Sequence, residues 1–178
     1  MELTAALFDL CKSSDRPIIA IDGPAGAGKT TLANHLSAAL SLKYKCAILH
    51  MDDLYNGWDC AFDHHLTDAL LGACKAHQKS QRISLSRYNW SRGEFDPAEE
   101  IPQAELLILE GVGSMQSAVR PFLSASIWID IEAHAGLARV LQRDGEGISQ
   151  QMQKWLISQE QHFQENDSQN AADFVLSN

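Results

Sequence analysis

A parallel α/β sheet with its chemistry gathered at the strand C-termini is the fold class this sequence predicts. Three observations carry that expectation. Short apolar runs, Ile18–Ile21, Cys46–Met51, Leu106–Leu109 and Ile127–Ile131, alternate with helical patterns along the chain. A glycine-rich octet, Gly23-Pro24-Ala25-Gly26-Ala27-Gly28-Lys29-Thr30, joins the first run to the first long helical pattern. The ends of the runs carry Asp52-Asp53 and Glu110-Gly111, with Tyr88 ending a weaker strand pattern. Ligands of open parallel sheets bind beyond the strand C-termini, so these groups are expected to share one edge.

Taken in order, residues 2–12 form an amphipathic helix, with Leu3, Leu7 and Leu10 on one face. An acidic start and the lack of a long apolar core lead to the expectation of a helix here and not a signal peptide. Ser13–Pro17 turns into the first strand, and Thr31 to Leu40 reads as the helix leaving the octet, with Leu32, Leu36, Ala39 and Leu40 inward. After the second strand, Asn56-Gly57 breaks the chain, and Phe62 to Lys79 has helical spacing at Leu66, Ala69, Leu70 and Ala73. Arg82–Tyr88 alternates as a half-exposed strand, and 89–105, with Trp90, Phe95, Pro97 and Pro102, reads as a covering loop. Helices follow at Ala133–Arg143 and about Ser149–Asn166, separated by Gly145-Glu146-Gly147, and Asp173–Leu176 is a last strand.

The 178 residues suit one domain, 1–178, with no repeat or linker. A net charge of −9 argues against broad binding to nucleic acid or anionic membrane. The four cysteines, Cys11, Cys46, Cys60 and Cys74, form no C-x-x-C pair and read as reduced thiols. No apolar run reaches the length of a membrane span, so the cytoplasm is the expected location.

The octet fits G-x-x-x-x-G-K-[ST]. Small residues let backbone N–H groups of Gly23, Ala25, Gly26, Ala27, Gly28, Lys29, Thr30 and Thr31 turn inward on an anion, and the helix N-terminus adds its partial positive charge. Lys29 is placed to reach the β/γ-phosphates of a nucleoside triphosphate, and Thr30 to give a hydroxyl to Mg2+. A chance glycine-rich turn lacks the strand before and the helix after it. A phosphoryl-transfer site also needs carboxylates for the metal and for the acceptor hydroxyl. Adjacent Asp52 and Asp53 point to different sides, so one of them is expected to meet the acceptor. Glu110 ends the most apolar strand and is a metal candidate. As ordinary structure, the Asp pair is a polar turn and Glu110 merely closes a strand.

Together, Gly23–Thr30, Asp52-Asp53-Leu54-Tyr55, Tyr88-Asn89-Trp90, Ile108-Leu109-Glu110-Gly111 and Leu137 through Asp144 resemble the uridine kinase-like branch of P-loop nucleoside/nucleotide kinases, in a short bacterial form. The resemblance covers about residues 16–176. It implies a three-layer fold with a five-stranded parallel core of order 2-3-1-4-5 and a lid at about 139–149. It assigns Asp52 to the acceptor hydroxyl, which leaves Asp53 free to reach Mg2+ through water. Tyr55, Tyr88 and Trp90 fall on the substrate side, Glu110 near Mg2+, and Arg139 and Arg143 on the phosphates. Arg143, next to the glycine-rich lid, is the stronger clamp; Arg139 stands equally as a surface pair. Asn89 replaces the family's usual Asp, Gly136 its usual Arg, and the segment between Asn56 and Phe62 is short.

Two functions are expected in order. The first is an ATP- and Mg2+-dependent kinase for a small hydroxyl-bearing metabolite, with Asp52, Lys29 and Arg143 as catalytic groups and a homodimer left open. The alternative is a regulatory or assembly NTPase, for which the sequence identifies neither a water-positioning residue nor a partner surface.

Overall fold

A computed structural model describes residues 3–177, so residue 2 of the expected first helix lies outside the described residues. The elements are α1 (Leu3–Cys11), β1 (Ile18–Asp22), α2 (Lys29–Leu40), β2 (Cys46–His50), α3 (His64–Gln78), β3 (Ile83–Leu85), β4 (Tyr88–Asn89), β5 (Glu94–Phe95), β6 (Glu99–Ile101), β7 (Leu106–Glu110), β8 (Ala125–Asp130), α4 (Ala133–Asp144), α5 (Ser149–Asn166) and β9 (Phe174–Ser177).

The main sheet has five strands in the order β2-β7-β1-β8-β9, with every pairing parallel. Counting these strands along the chain, the order is 2-3-1-4-5. The burial pattern explains the arrangement. β1 and β7 are buried at every residue and take central positions, whereas β2 and β9 are only partly covered and lie at the edges. Successive side chains alternate between faces. Ile18, Ala20, Leu107 and Leu109 join one core with α3 and α5 residues such as Leu66, Leu70 and Trp155. Ile19, Ile21, Leu106 and Ile108 join the other core with Leu7 of α1 and Ala33, Leu36 and Leu40 of α2. Leu32 and Ala39 are only half-buried at the margin of that face.

The stretch 82–105 differs from expectation. The alternating run is split between β3 and β4, and the covering loop contains β5 and β6. β3 pairs antiparallel with β6, and β4 with β5, forming two small ribbons outside the main sheet. Alternation identified extended chain here but carried no information on partners, which only hairpin closure at Gly93, with φ +70°, supplies.

All four cysteines are free. Burial pushes the Cys11 thiol up to about 11 and the Cys74 thiol up to about 12, so both behave as packing groups. Among the described residues, no helix is long and apolar enough to cross a membrane.

Candidate active site

The octet leaves β1 through three left-handed glycines: Gly23 at φ +139°, Gly26 at +80° and Gly28 at +94°. At two of them space is also decisive. A Cβ on Gly23 would stand 2.3 Å from the Ile129 carbonyl oxygen, and one on Gly26 would stand 2.3 Å from that of Gly136. Gly136 reciprocates, since its own Cβ would lie 2.6 Å from the Ala25 oxygen. The α4 backbone therefore rests directly on the loop, and a long side chain at position 136 has no room.

Asp22, the last residue of β1, is fully buried. Its carboxylate accepts hydrogen bonds from the N–H groups of Gly23 at 2.8 Å, Gly113 at 3.1 Å and Met115 at 3.0 Å. It thereby ties the start of the loop to the segment after β7. Burial pushes its pKa from 3.8 up to about 6, outweighing those donors and Lys29. The folded value exceeds the unfolded one, so Asp22 contributes stability below about pH 4 that is lost as pH rises through about 6. The unfolding free energy of wild type relative to Asp22→Asn should accordingly fall by about 3 kcal/mol between pH 4 and pH 7, at ~1.4 kcal/mol per pKa unit. Denaturant titrations at both pH values check this; a constant difference would contradict it.

Lys29 opens α2 and folds its ammonium back onto the loop, donating to the carbonyls of Gly23 and Pro24, both at 2.8 Å. Burial lowers its pKa, while Asp22, Glu110 and Asp52 oppose that shift. Thr30 donates its hydroxyl to Glu110 Oε1 at 3.0 Å, and the other oxygen of Glu110 meets His50 Nδ1 at 2.6 Å. That contact raises the His50 pKa against the effect of burial.

Of these groups, Lys29, Thr30 and Glu110 open onto a cavity of about 410 Å³. Ala25, Gly26, Gly28, Lys29, Thr30 and Thr31 form one wall, and Glu110 and Asp52 stand on its floor. Asp52 keeps a solvent-exposed edge but is crowded by protein. The resulting loss of water, followed by the charge of Glu110, raises its pKa, while Lys29, Arg143 and His50 pull it down. Tyr55, Trp58, Trp90 and Trp155 build an aromatic wall of the same cavity. Its rings meet edge to face at 4.9–5.9 Å between centroids.

Arg139 and Arg143 of α4 reach the same cavity. Arg139 lies 3.4 Å from the Gly26 carbonyl oxygen, and Arg143 is held by Asp144 through two hydrogen bonds of 2.7 and 2.6 Å. Gly23 and Ala27 are buried within the loop and do not line the cavity. Tyr55 contributes its ring while its hydroxyl turns away to the Val112 carbonyl at 2.8 Å. Trp90 donates Nε1 to the Asp52 backbone oxygen at 2.9 Å. Asp53 and Tyr88 lie outside the cavity lining. Asp53 is 3.5 Å from Arg87, and Tyr88 stands behind Trp90 at 5.1 Å.

Residues of α5 had no sequence signal as site groups. Met152 and Trp155 line the cavity, and Gln159 Oε1 accepts from both Ala25 N–H and Trp155 Nε1 at 3.1 Å. Their spacing of three and four residues marked one inward helix face, which reads equally as core. Asp22 and His50 likewise give no site signal in the sequence, each being a polar residue that ends a strand.

Among the described residues no group of three or more His, Cys, Asp or Glu is arranged to hold a metal. Thr30 Oγ1 and Glu110 Oε1 nevertheless fit Mg2+, a hard cation that takes one or two protein oxygens and completes its shell with phosphates and water.

The profile of the Phosphoribulokinase / Uridine kinase family matches residues 18–164. A uridine kinase of Schizosaccharomyces pombe is 25% identical over 142 residues, covering 71% of this chain, which spans only 31% of that protein. Among solved structures, a possible uridine kinase from Bacillus stearothermophilus superposes with a TM-score of 0.66 at 20% identity, covering 99% of this chain and 100% of the other. A candidate fructose transport system kinase from Silicibacter sp. TM1040 gives a TM-score of 0.66 at 22% identity, with 98% of each chain covered. These two likenesses concern the fold. With the profile match spanning most of the sequence, the chain belongs to the phosphoribulokinase/uridine kinase family.

Proposed function

We propose that this chain is an ATP-dependent kinase that phosphorylates a hydroxyl of a small, uncharged metabolite. One observation carries the reading: Asp52 opens onto the same cavity as Lys29, Thr30 and Glu110, with an aromatic wall beside it. The donor triphosphate takes the loop wall, and Lys29 exchanges its two carbonyl partners for phosphate oxygens. Thr30 and Glu110 would hold Mg2+, which supplies charge neutralisation on the phosphates. Asp52 orients the acceptor hydroxyl and takes its proton. A carboxylate with a raised pKa is a better base than an ordinary one, and Asp52 is raised. Arg143 leaves Asp144 to meet charge spreading over the transferred group, and Gly145, at φ +91°, gives the lid its turn.

The cations suggest the acceptor's charge. Arg139 and Arg143 come from α4, and Lys29 belongs to the loop, so the aromatic wall contributes none. The nearby Arg87 and Arg92 pair with Asp53 and with Glu94 and Asp96, outside the cavity lining. A flat ring or the C–H face of a sugar suits such a wall; an acceptor phosphate does not. The free cysteines and the use of ATP suit the cytoplasm.

A screen of nucleosides including uridine, free sugars and sugar phosphates with Mg-ATP, read as ADP and phosphorylated product, tests the proposal. An uncharged acceptor should give product in proportion to ADP, and Lys29→Ala should lose both. ATP hydrolysis that needs no acceptor and persists in Asp52→Ala would instead establish the regulatory NTPase reading.

A further inference from the structure

We propose that His50 is a positioning residue that aims Glu110 at the metal, an inference that rests on the placement of Mg2+ by Thr30 and Glu110. The register of the sheet creates the pair. β2 runs parallel to β7 with His50 directly beside Glu110, and on the other side of Glu110 the register partner is Ile21. Among the residues flanking Glu110 across the sheet, His50 is therefore the polar one.

A lone carboxylate at a strand end rotates freely about its last bond. This one does not, because its oxygens have different partners. Oε2 accepts from His50 Nδ1 at 2.6 Å, and Oε1 faces the Thr30 hydroxyl at 3.0 Å. The short contact requires the hydrogen on Nδ1, which the Nδ1-protonated neutral tautomer and the cation both carry, so the function does not depend on the ring's charge. His50 thereby commits one carboxylate oxygen and leaves the other on the cavity side, next to Thr30. Hydrogen-bonded partners that orient metal-binding carboxylates typically contribute 10–100-fold in metal affinity.

The sequence places His50 where it does a second thing. It is the last residue of β2, at φ −89° and ψ 128°, and the 3-10 turn Met51–Asp53 starts immediately after it. Removing the ring therefore risks moving Asp52, and the test must separate orientation of Glu110 from collapse of that turn.

Affinity for the non-hydrolysable analogue AMPPNP, measured by calorimetry in EDTA and in saturating Mg2+, makes the separation; the ratio of the two is the gain that the metal confers. His50→Ala should leave the affinity in EDTA unchanged and lower the ratio about tenfold. His50→Asn, whose amide nitrogen reproduces the Nδ1 donor, should restore the ratio to within about threefold. Glu110→Gln should abolish most of it. An unchanged ratio in His50→Ala beside a lost one in Glu110→Gln overturns the role of His50 and leaves the kinase reading standing. An equal loss in EDTA and in Mg2+, or failure of His50→Asn to rescue, shows a structural residue and also overturns it. If Glu110→Gln keeps the ratio, the metal placement and the role of His50 fall together. Failure of the wild-type protein to bind AMPPNP in either buffer overturns the kinase reading itself.

Discussion

Asp52→Asn is expected to lower the rate of acceptor phosphorylation by about 10²–10⁴-fold while Mg-ATP affinity changes by less than about threefold. The substitution keeps the shape of the side chain and the turn that carries it. The Trp90 indole holds the backbone oxygen of residue 52, not its carboxylate, so that contact persists. What disappears is the group able to accept the hydroxyl proton. Asp53→Asn serves as the internal comparison, because Asp53 faces Arg87 outside the cavity lining and its loss should change the rate by less than about threefold. The pH profile is a second readout. Crowding and the charge of Glu110 raise the Asp52 pKa, and as the proposed base it acts in its ionised form. The rate should therefore fall as pH drops through a value above the ordinary aspartate range, and that acid limb should vanish in Asp52→Asn. Initial rates across pH, with ATP affinity measured in parallel, decide it. Equal rates in Asp52→Asn and wild type would remove Asp52 from the mechanism.

Gly26→Ala is expected to destabilise the protein by about 3 kcal/mol and to weaken Mg-ATP binding at least tenfold. Two costs add. A side chain at φ +80° costs about 1–2 kcal/mol, and driving Cβ to 2.3 Å from the Gly136 oxygen adds overpacking of about 1–3 kcal/mol. The clash is backbone against side chain, so no rotamer relieves it. Gly136→Ala separates the two costs. Gly136 sits in α4 without a left-handed φ, and alanine there should gain up to about 1 kcal/mol of helix propensity. Any net loss at 136 is then steric, from Cβ at 2.6 Å to the Ala25 oxygen. Urea unfolding of both variants and nucleotide calorimetry measure the effects. A Gly136→Ala protein more stable than wild type would show that α4 moves off the loop at little cost.

The same contact bears on position 136, where the resemblance implied arginine: Gly136 is buried where α4 meets the loop. Cations reach the cavity one and two turns later, at Arg139 and Arg143.

Much of the loop side of the cavity was legible because its signals are local. A glycine octet between a strand and a helix is read within a dozen residues, since φ, backbone approach and helix start are all set by neighbours in sequence. The same holds for Asp52 and Glu110, whose place at strand ends followed from the apolar runs before them. The antiparallel ribbons at 82–105 were not legible, because alternation describes one strand and is silent on its partner. The aromatic wall was read in part. Tyr55 and Trp90 lie near strand ends, but Trp155 and Met152 arrive from a helix about 100 residues after Tyr55.

By itself the sequence determined the class of the fold, the glycine-rich loop between β1 and α2 and the acids at the strand ends, since each depends on propensity, periodicity or the conformational freedom of glycine. The tertiary structure decided which of Asp52 and Asp53 faces the loop, that Tyr88 stands behind Trp90, that His50 and Gln159 hold Glu110 and Ala25, and that α4 lies against the loop glycines. The physical reason is common to all four. Each depends on register or approach between elements distant in sequence, and those are set by how side chains fill the shared core, not by any one segment's own pattern.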